Sequence, residues 1–233
     1  MLDNPTPILK GETIPMPDVV KIIEVGGVVP VVRLSDLSAA VDMAKALLAG
    51  GVTAVELTMT SPGALDALPL LLDNVPAFRN GDAALGMGSV LNPQMAQDAI
   101  DRGAMFIVAP MLDLPTVESC VRQSIPVMPG ALTPTEIQTA WVAGASVVKV
   151  FPANSVGPGY FKDVLAPLPH LKLMPTGGVD LQTAPEFIRN GAVAVGAGSS
   201  LVDKAVIAAK DWDELTRRAA EFVQTVQRAR SAK

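Results

Sequence analysis

The fold of this chain is decided by the stretch Ser146-Val147-Val148-Lys149-Val150-Phe151-Pro152, a short β-branched run that ends in proline. Such a run predicts a buried strand, in which Val147, Lys149 and Phe151 share one face. Seven more runs of this kind occur along the chain, separated by segments with helical spacing, which is the pattern of repeated β-α units. The eight predicted strands are Val28–Leu34, Thr53–Met59, Ala83–Ser89, Met105–Ala109, Ile125–Pro129, Ser146–Phe151, Lys172–Pro175 and Ala192–Val195.

Capping residues support the helices between these strands. The segment Asp36–Ala49 is opened by Ser35, the segment Pro93–Arg102 is opened by Asn92, and each is followed by glycine. Small polar N-caps and glycine at the C-terminus are the usual start and stop chemistry of helices. The caps and the periodicity therefore agree.

Eight such units without a break in composition favour a closed (β/α)8 TIM barrel over an open doubly wound sheet. We expect a single domain over residues 1–233, with a short N-terminal helix around Asp18–Glu24 and an amphipathic closing helix over Asp211–Lys233. Active sites of such barrels lie at the C-terminal ends of the strands. Lys149, near the end of the sixth predicted strand, satisfies that rule.

Composition narrows the functional classes. The formal charge of -5 without a long basic run argues against a nucleic-acid partner. No apolar run approaches the roughly 20 residues of a membrane span, and the N-terminus lacks the blocks of a secretory signal. One cysteine, Cys120, and one histidine, His170, leave no disulfide framework and no multi-histidine metal site. We expect a cytoplasmic protein without membrane, nucleic-acid or metal binding.

Lys149 is the first candidate for chemistry. An ionised ammonium among apolar groups would lose much of its hydration, and burial of this kind lowers a lysine pKa from about 10.4 toward about 7 to 8. Neutral amine would then be present to attack a carbonyl and form a Schiff base. The structural alternative is a lysine whose head reaches out of the strand end or pairs with a carboxylate. This segment alone gives the two interpretations equal weight.

Glu56 lies in the second predicted strand, where alternation separates it from the large apolar residues and points it inward. Its carboxyl group could shuttle protons with a raised pKa, or stay ionised as the partner of Lys149 or Arg33. A buried ion pair without chemistry is the structural alternative. Arg33 ends the first predicted strand, where its planar fork suits a substrate carboxylate and equally suits a salt bridge at the rim.

Two glycine clusters follow the last two predicted strands. They are Pro175-Thr176-Gly177-Gly178-Val179 and Gly196-Ala197-Gly198-Ser199-Ser200. Barrels of this class often hold a phosphate with backbone N–H groups from these two loops. Glycine permits close backbone approach, and Ser199 can add a hydroxyl group. The pair of clusters therefore predicts a phosphate site.

Seven short segments occur in one order along most of the chain. They are Val29–Arg33, Val55–Thr58, Gly86–Pro93, Pro129–Thr133, Val148–Ala153, Pro175–Val179 and Gly198-Ser199. In this order and spacing they resemble the 2-keto-3-deoxy-6-phosphogluconate (KDPG) aldolases and their 4-hydroxy-2-oxoglutarate (KHG) and phosphogalactonate (KDPGal) relatives. The resemblance implies a metal-independent class I aldolase, a homotrimer of barrels without a cofactor.

The resemblance also implies roles for single residues. Lys149 would be the Schiff-base lysine and Glu56 the proton shuttle. The phosphate candidates are Gly177, Gly178, Gly198 and Ser199. The candidates for the carboxylate and hydroxyl end of the substrate are Arg33, Thr60, Ser89, Pro110 and Thr176.

Departures from the family pattern bear on specificity. Thr60 stands where many KDPG-type members have an arginine that contacts the substrate carboxylate, so Arg33 is expected to take over that contact. Ser89 stands where the family often has threonine, which keeps the hydroxyl group. The segments Thr60-Ser61-Pro62 and Gly157–Lys162 look like the KDPGal branch, whereas Pro175–Gly178 looks like the KDPG branch. The stereochemistry of the substrate stays open.

The expected reaction is cleavage of a 2-keto-3-deoxy-6-phospho sugar acid to pyruvate and an aldehyde such as glyceraldehyde 3-phosphate. Two alternatives would use the same glycine turns. A phosphosugar isomerase or epimerase would need an acid/base pair instead of a buried amine. A non-catalytic phosphosugar-binding sensor would bind its ligand without releasing pyruvate.

Overall fold

A computed structural model of the protein describes residues 18–232 and shows an α/β fold in which parallel strands form a curled sheet flanked by helices. Every strand is short and buried. The strands in these residues are β1 (Val28–Val32), β2 (Ala54–Thr58), β3 (Ala84–Gly88), β4 (Phe106–Val108), β5 (Val127–Met128), β6 (Gly130–Ala131), β7 (Val148–Val150), β8 (Leu173–Pro175) and β9 (Val195–Ala197).

The strands pair in two arcs, a six-stranded one in the order β5-β4-β3-β2-β1-β9 and a three-stranded one in the order β6-β7-β8. All pairs are parallel, and an isolated bridge between Thr176 and Gly196 joins the end of β8 to β9. Only Pro129 separates β5 from β6. Proline has no N–H group for a ladder hydrogen bond, which separates these two short strands. The predicted strand Ile125–Pro129 contains β5 only, and β6 lies beyond its end.

The other strand predictions differ from the structure mainly at their ends. The largest shift is in the last strand, because the prediction Ala192–Val195 shares only Val195 with β9. Gly191 has a φ of 107°, and the N–H group of Ala192 donates to the carbonyl of Phe187. Ala192 therefore still belongs to the turn that closes the preceding helix.

Helices connect the strands. Within residues 18–232 they are α1 (Val19–Gly26), α2 (Ala40–Ala49), α3 (Ala64–Asn74), α4 (Pro76–Asn80), α5 (Pro93–Asp101), α6 (Leu114–Arg122), α7 (Pro134–Val142), α8 (Gly159–Leu165), α9 (Ala184–Arg189), α10 (Lys204–Ala208) and α11 (Trp212–Ser231). No helix in this part of the chain combines the length and the apolar character that crossing a bilayer requires.

Two of the predicted helix starts have different outcomes. Asn92 caps α5 as predicted, since its side chain accepts a 2.9 Å hydrogen bond from the N–H group of Met95. The predicted start at Ser35 is wrong. The carboxylate of Asp36 accepts from the backbone N–H and the hydroxyl group of Ser38, and this local turn delays α2 until Ala40.

The core has an inner and an outer layer. The inner cluster fills the inside of the curled sheet and contains Val147 from just before β7, whereas Val148 and Val150 belong to the outer cluster between the strands and the helices. Lys149 lies between these two outer residues, so strand alternation turns its side chain inward. Val19 and Ile23 of α1 also belong to the inner cluster, and they close it at the N-terminal ends of the strands.

The C-terminal helix α11 packs against α2 and α9. Its buried stripe includes Leu215, Ala219, Phe222 and Val226, which confirms the predicted amphipathic helix. The helix begins after Asp211, whose carboxylate caps it. The last residue of the predicted range, Lys233, lies outside the described residues.

Candidate active site

Two ionisable side chains are buried in the interior of the sheet. Lys149 on β7 is 5% exposed and Glu56 on β2 is 1% exposed. The Nζ atom of Lys149 lies 5.1 Å from the centroid of the Phe151 ring. A buried lysine and a buried carboxyl group with no apolar role in the core are the groups that packing alone does not explain.

The carboxyl group of Glu56 has no hydrogen-bond partner for either oxygen among the described residues. Burial raises the pKa of Glu56 above its ordinary value, and the positive charges of Lys149 and Arg33 oppose that rise. The Glu56 oxygens form no ion pair with Lys149 within 4.0 Å. The arrangement is therefore different from a structural ion pair, in which both charges would be satisfied by direct contact.

Space for the Glu56 carboxyl group is provided by Gly88 on the neighbouring strand β3. A Cβ atom at position 88 would overlap Oε1 of Glu56 and would lie 2.5 Å from its Cδ atom. Thr176 stands in a similar relation to Gly196, where a Cβ atom would overlap the threonine hydroxyl group. Glycine on the adjacent strand thus makes room for a polar side chain at two places in the interior.

A cavity of about 440 Å³ opens at the C-terminal ends of β1, β7, β8 and β9. Phe151, two residues beyond Lys149, and Thr176, two residues beyond the strand partner of Lys149, form part of its wall. Neither Lys149 nor Glu56 belongs to the lining. They occupy the inward-facing layer of the strands next to it, and Val31 of the lining is the strand partner of Glu56.

The two glycine turns form another wall of the cavity. Gly177 and Gly178 both have positive φ, at 93° and 72°, and they line the cavity together with Gly198 and Ser199. The side chain of Ser200 donates a 2.6 Å hydrogen bond to the carbonyl of Val179, which joins the two turns. These observations fit an anion cradle built from backbone.

Arg33 and Thr176 also line the cavity. Arg33 is exposed, and its guanidinium makes no ion pair with any residue in the range 18–232, so the alternative of a rim salt bridge is not formed. Thr176 is 7% exposed, and its hydroxyl group has no partner among the described residues. Both side chains are available to a ligand.

Besides Lys149 and Glu56, three more predicted residues lie outside the lining of this cavity. Thr60 is exposed, and its hydroxyl group is 3.0 Å from that of Thr58, which donates to the carbonyl of Val32. Ser89 follows β3 with a φ of 59°, an unfavourable backbone conformation for a residue with a side chain. Pro110 presents its carbonyl to Gly130, where a Cβ atom would overlap it. Their proposed contacts with substrate stay predictions.

Two charged residues of the lining were missed at the sequence level. Asp180 follows the first glycine turn, and its Oδ1 accepts hydrogen bonds from Thr183 and Gln182, which hold its pKa below the ordinary value although burial opposes them. Lys204 is the first residue of the short helix α10. The one sequence signal for Lys204 is that charged residues follow the second glycine cluster, and this pattern is common on protein surfaces.

Metal ligands are not assembled in the part of the chain that the structure describes, because no three His, Cys, Asp or Glu side chains converge there on one point. His170 is exposed, with Nε2 at 3.3 Å from Oε1 of Gln138. Cys120 is buried, and burial raises the pKa of its thiol to about 11. This thiol is therefore a poor nucleophile.

Comparison with known proteins agrees with the site. The family model for KDPG and KHG aldolase matches residues 19–218. The 2-dehydro-3-deoxy-phosphogluconate aldolase of Dickeya dadantii (strain 3937) is 34% identical over 204 residues, which are 87% of this chain and 93% of the relative.

Solved structures show the same likeness. The KDPG aldolase from Legionella pneumophila, with pyruvate captured at low pH as a covalent carbinolamine intermediate, has a TM-score of 0.80 and 28% identity, and the match covers 87% of this chain and 97% of that one. A native KDPGal structure has a TM-score of 0.79 and 29% identity, over 87% and 95% of the two chains.

Agreement over this much of the sequence and of the fold makes the protein an aldolase, an enzyme of the aldehyde-lyase class. It belongs to the KDPG and KHG aldolase family. The aldolase prediction is thereby confirmed over the isomerase, epimerase and sensor alternatives.

Proposed function

We propose that the chain cleaves a 2-keto-3-deoxy-6-phospho sugar acid to pyruvate and glyceraldehyde 3-phosphate through a Schiff base on Lys149. The observation that carries this proposal is the burial of Lys149 and of the unpartnered Glu56 carboxyl group in one interior layer beside the cavity. The covalent pyruvate adduct in the Legionella relative supports the same chemistry. KDPG and KDPGal are substrates of this class, and the unphosphorylated KHG is an alternative substrate with the same 4-hydroxy-2-keto acid core.

The first half of the reaction builds the imine. The uncharged amine of Lys149 attacks the C2 ketone, and Glu56 protonates the oxygen and assists its loss as water. The resulting iminium nitrogen is positively charged and can accept an electron pair. The raised pKa of Glu56, caused by its burial, suits a group that gives and takes a proton during the reaction.

The second half breaks the carbon–carbon bond. Ionised Glu56, directly or through a water molecule, removes the proton of the C4 hydroxyl group. The C3–C4 electron pair moves into the iminium, which becomes an enamine, and the aldehyde leaves. Protonation of the enamine at C3 and addition of water at C2 then release pyruvate and restore the amine.

The cavity lining suggests how the two charged ends of the substrate are held. Arg33 and the hydroxyl group of Thr176 are proposed for the carboxylate and hydroxyl groups, with Thr60, Ser89 and Pro110 as further candidates. Gly177, Gly178, Gly198 and Ser199 are proposed for the phosphate.

We also propose that the two arcs are parts of one closed (β/α)8 barrel. Between β5 and β6, closure is supported by the direct connection through Pro129. Between β8 and β9, it is supported by the bridge that joins Thr176 to Gly196. A single domain over residues 1–233 is part of this proposal, and so is action in the cytoplasm, which the buried free thiol of Cys120 fits.

A homotrimer is proposed for the assembly. The apolar side chains of Leu91, Met111 and Leu114 are exposed just beyond the adjacent strands β3 and β4, a surface that a neighbouring subunit would cover. Light scattering on the purified protein measures the mass and tests the number of subunits.

Borohydride trapping tests the covalent step. Reduction of the protein in the presence of pyruvate is expected to leave a stable adduct on the peptide that contains Lys149, detected by mass spectrometry. The Lys149→Met variant should give no adduct and no turnover, and Lys162→Met, which changes an exposed lysine on α8, is the matched control. An unmodified Lys149 after this treatment would contradict the mechanism.

A further inference from the structure

Lys204 is a charged residue in the cavity wall that the proposed mechanism does not use. It lies in the segment that continues from Gly198 and Ser199, and it lines the cavity together with both glycine turns. Within residues 18–232 its ammonium group forms no ion pair and donates no hydrogen bond to the protein. The charge is therefore free to act on a ligand.

The chain just before Lys204 is anchored in the fold. Leu201 and Val202 are buried, and the hydrogen bond from Ser200 to Val179 fixes the turn before them. Asp203, which precedes Lys204 in the sequence, accepts from the N–H groups at the start of α10, and its carboxylate lies 3.5 Å from Arg218. The neighbouring negative charge is thus used within the fold and does not neutralise Lys204.

The charges of the lining show what this lysine adds. Among the described residues, the cations of the wall are Arg33 and Lys204. The anion is Asp180, whose Oδ1 accepts from three donors of its own turn. A phosphate monoester carries about -1.5 to -2 charges at neutral pH. Backbone N–H groups and the Ser199 hydroxyl group offer hydrogen bonds without a net charge, so a full counter-charge has to come from a side chain.

We infer that Lys204 is a specificity-determining residue that supplies the counter-charge for the phosphate end and makes the enzyme prefer phosphorylated substrates. The inference rests on the proposed function and extends it to a residue outside the glycine turns. An ammonium on a flexible stem acts as a point charge, which suits a phosphate that must also leave. Because the side chain is exposed, its contribution is modest and sensitive to salt.

Steady-state kinetics with two substrates test this. For Lys204→Gln we expect KM for KDPG to rise about three- to tenfold with kcat retained, and no change with the unphosphorylated KHG. Lys204→Arg should restore most of the affinity. Raising the ionic strength should increase KM for KDPG more in the wild type than in Lys204→Gln. Lys210→Gln removes the same charge beyond the end of α10, outside the cavity lining, and should behave as wild type.

The possible results separate this inference from the proposed function. If the wild type cleaves KDPG and Lys204→Gln has the same KM, or if kcat falls equally with both substrates, the inference is wrong and the proposed function stands. If the wild type cleaves neither substrate, the proposed function fails. In that case, titration with inorganic phosphate, followed by phosphorus NMR, tests the role of Lys204 in phosphate binding. Weaker binding to Lys204→Gln than to the wild type supports this role, and equal binding overturns it.

Discussion

The two ends of the curled sheet differ in whether their polar groups have partners within the protein. At the N-terminal ends of the strands, Arg230 donates to the carbonyls of Val25 and Val193, and Lys172 lies 2.6 Å from Glu24. At the C-terminal ends, both oxygens of Glu56 and the hydroxyl group of Thr176 lack partners among the described residues. One Glu24 oxygen also lacks a hydrogen bond of good geometry, but it is the oxygen that the Lys172 ammonium compensates.

This difference indicates that the polar groups at the N-terminal ends of the strands stabilise the fold, whereas those at the C-terminal ends serve the reaction. Buried polar groups without partners destabilise a folded protein, so their presence in an otherwise satisfied core indicates that a ligand is meant to complete them. Among the described residues, the end that α1 closes has no such uncompensated group. Substitutions at the two ends should therefore have opposite effects on stability and activity.

Glu56→Gln, at the C-terminal ends of the strands, should have the largest effect on activity. The amide keeps the shape of the side chain but cannot take or return a proton, so we expect kcat to fall by about 10²- to 10⁴-fold. Steady-state kinetics with KDPG measure the loss. Borohydride trapping of added pyruvate on Lys149 should also slow, because Glu56 assists imine formation, and circular dichroism provides the control that the variant is still folded. A variant with more than half of the wild-type kcat would show that another group moves the proton.

The same variant should be more stable than the wild type at neutral pH. Burial raises the pKa of Glu56 in the folded state above its unfolded value, so the folded protein favours the proton. The stability that this protonation provides is complete below the unfolded pKa and is lost as the pH rises through the folded pKa. Urea denaturation at several pH values should show that the free energy of unfolding of Glu56→Gln increases relative to that of the wild type as the pH rises, by about 1 to 3 kcal/mol. A constant difference would contradict the raised pKa.

Gly88→Ala tests the position of the Glu56 carboxyl group with one added methyl group. Its Cβ atom would overlap Oε1 of Glu56, so the carboxyl group has to move from its place in the interior. We expect kcat to fall by about tenfold to a hundredfold, because small misplacements of catalytic groups have effects of this size. Gly159→Ala on α8, where an added Cβ meets nothing within 4 Å, is the matched control. Unchanged kcat in Gly88→Ala would show that the position of Glu56 is not critical.

Much of this difference could be predicted from the sequence. Alternation in the strand around Lys149 and in the strand around Glu56 placed both side chains in the interior, because a strand with one apolar face has a fixed register. The glycine turns were predicted from their order along the chain. Lys204 and Asp180 could not be predicted, since their place in the wall depends on how two loops fold back, which hydrogen bonds from Ser200 and Thr183 determine.

The start of α2 shows the same limit on a smaller scale. Ser35 and Asp36 are both good capping residues, and the sequence does not say which carboxylate or hydroxyl group will close a turn of its own. Likewise, the split at Pro129 follows from the missing N–H group only once the partner strands on its two sides are known. Local chemistry predicts the elements, and tertiary contacts decide their ends.

Arg230→Ala should produce the smallest effect on catalysis and tests the other half of the comparison. Its guanidinium holds the end of α1 and the start of the last strand segment through the carbonyls of Val25 and Val193. Loss of these charge-assisted hydrogen bonds should lower the free energy of unfolding by about 1 to 3 kcal/mol, measured by urea denaturation. Turnover should stay within about twofold, because none of the affected groups lines the cavity. Arg228→Ala should change neither quantity, because this exposed arginine of the same helix has its one side-chain hydrogen bond within residues 18–232 with Thr225. If Arg230→Ala instead lost activity at temperatures where it remains folded, the two ends of the sheet would be coupled, and the separation of stability from chemistry would not hold.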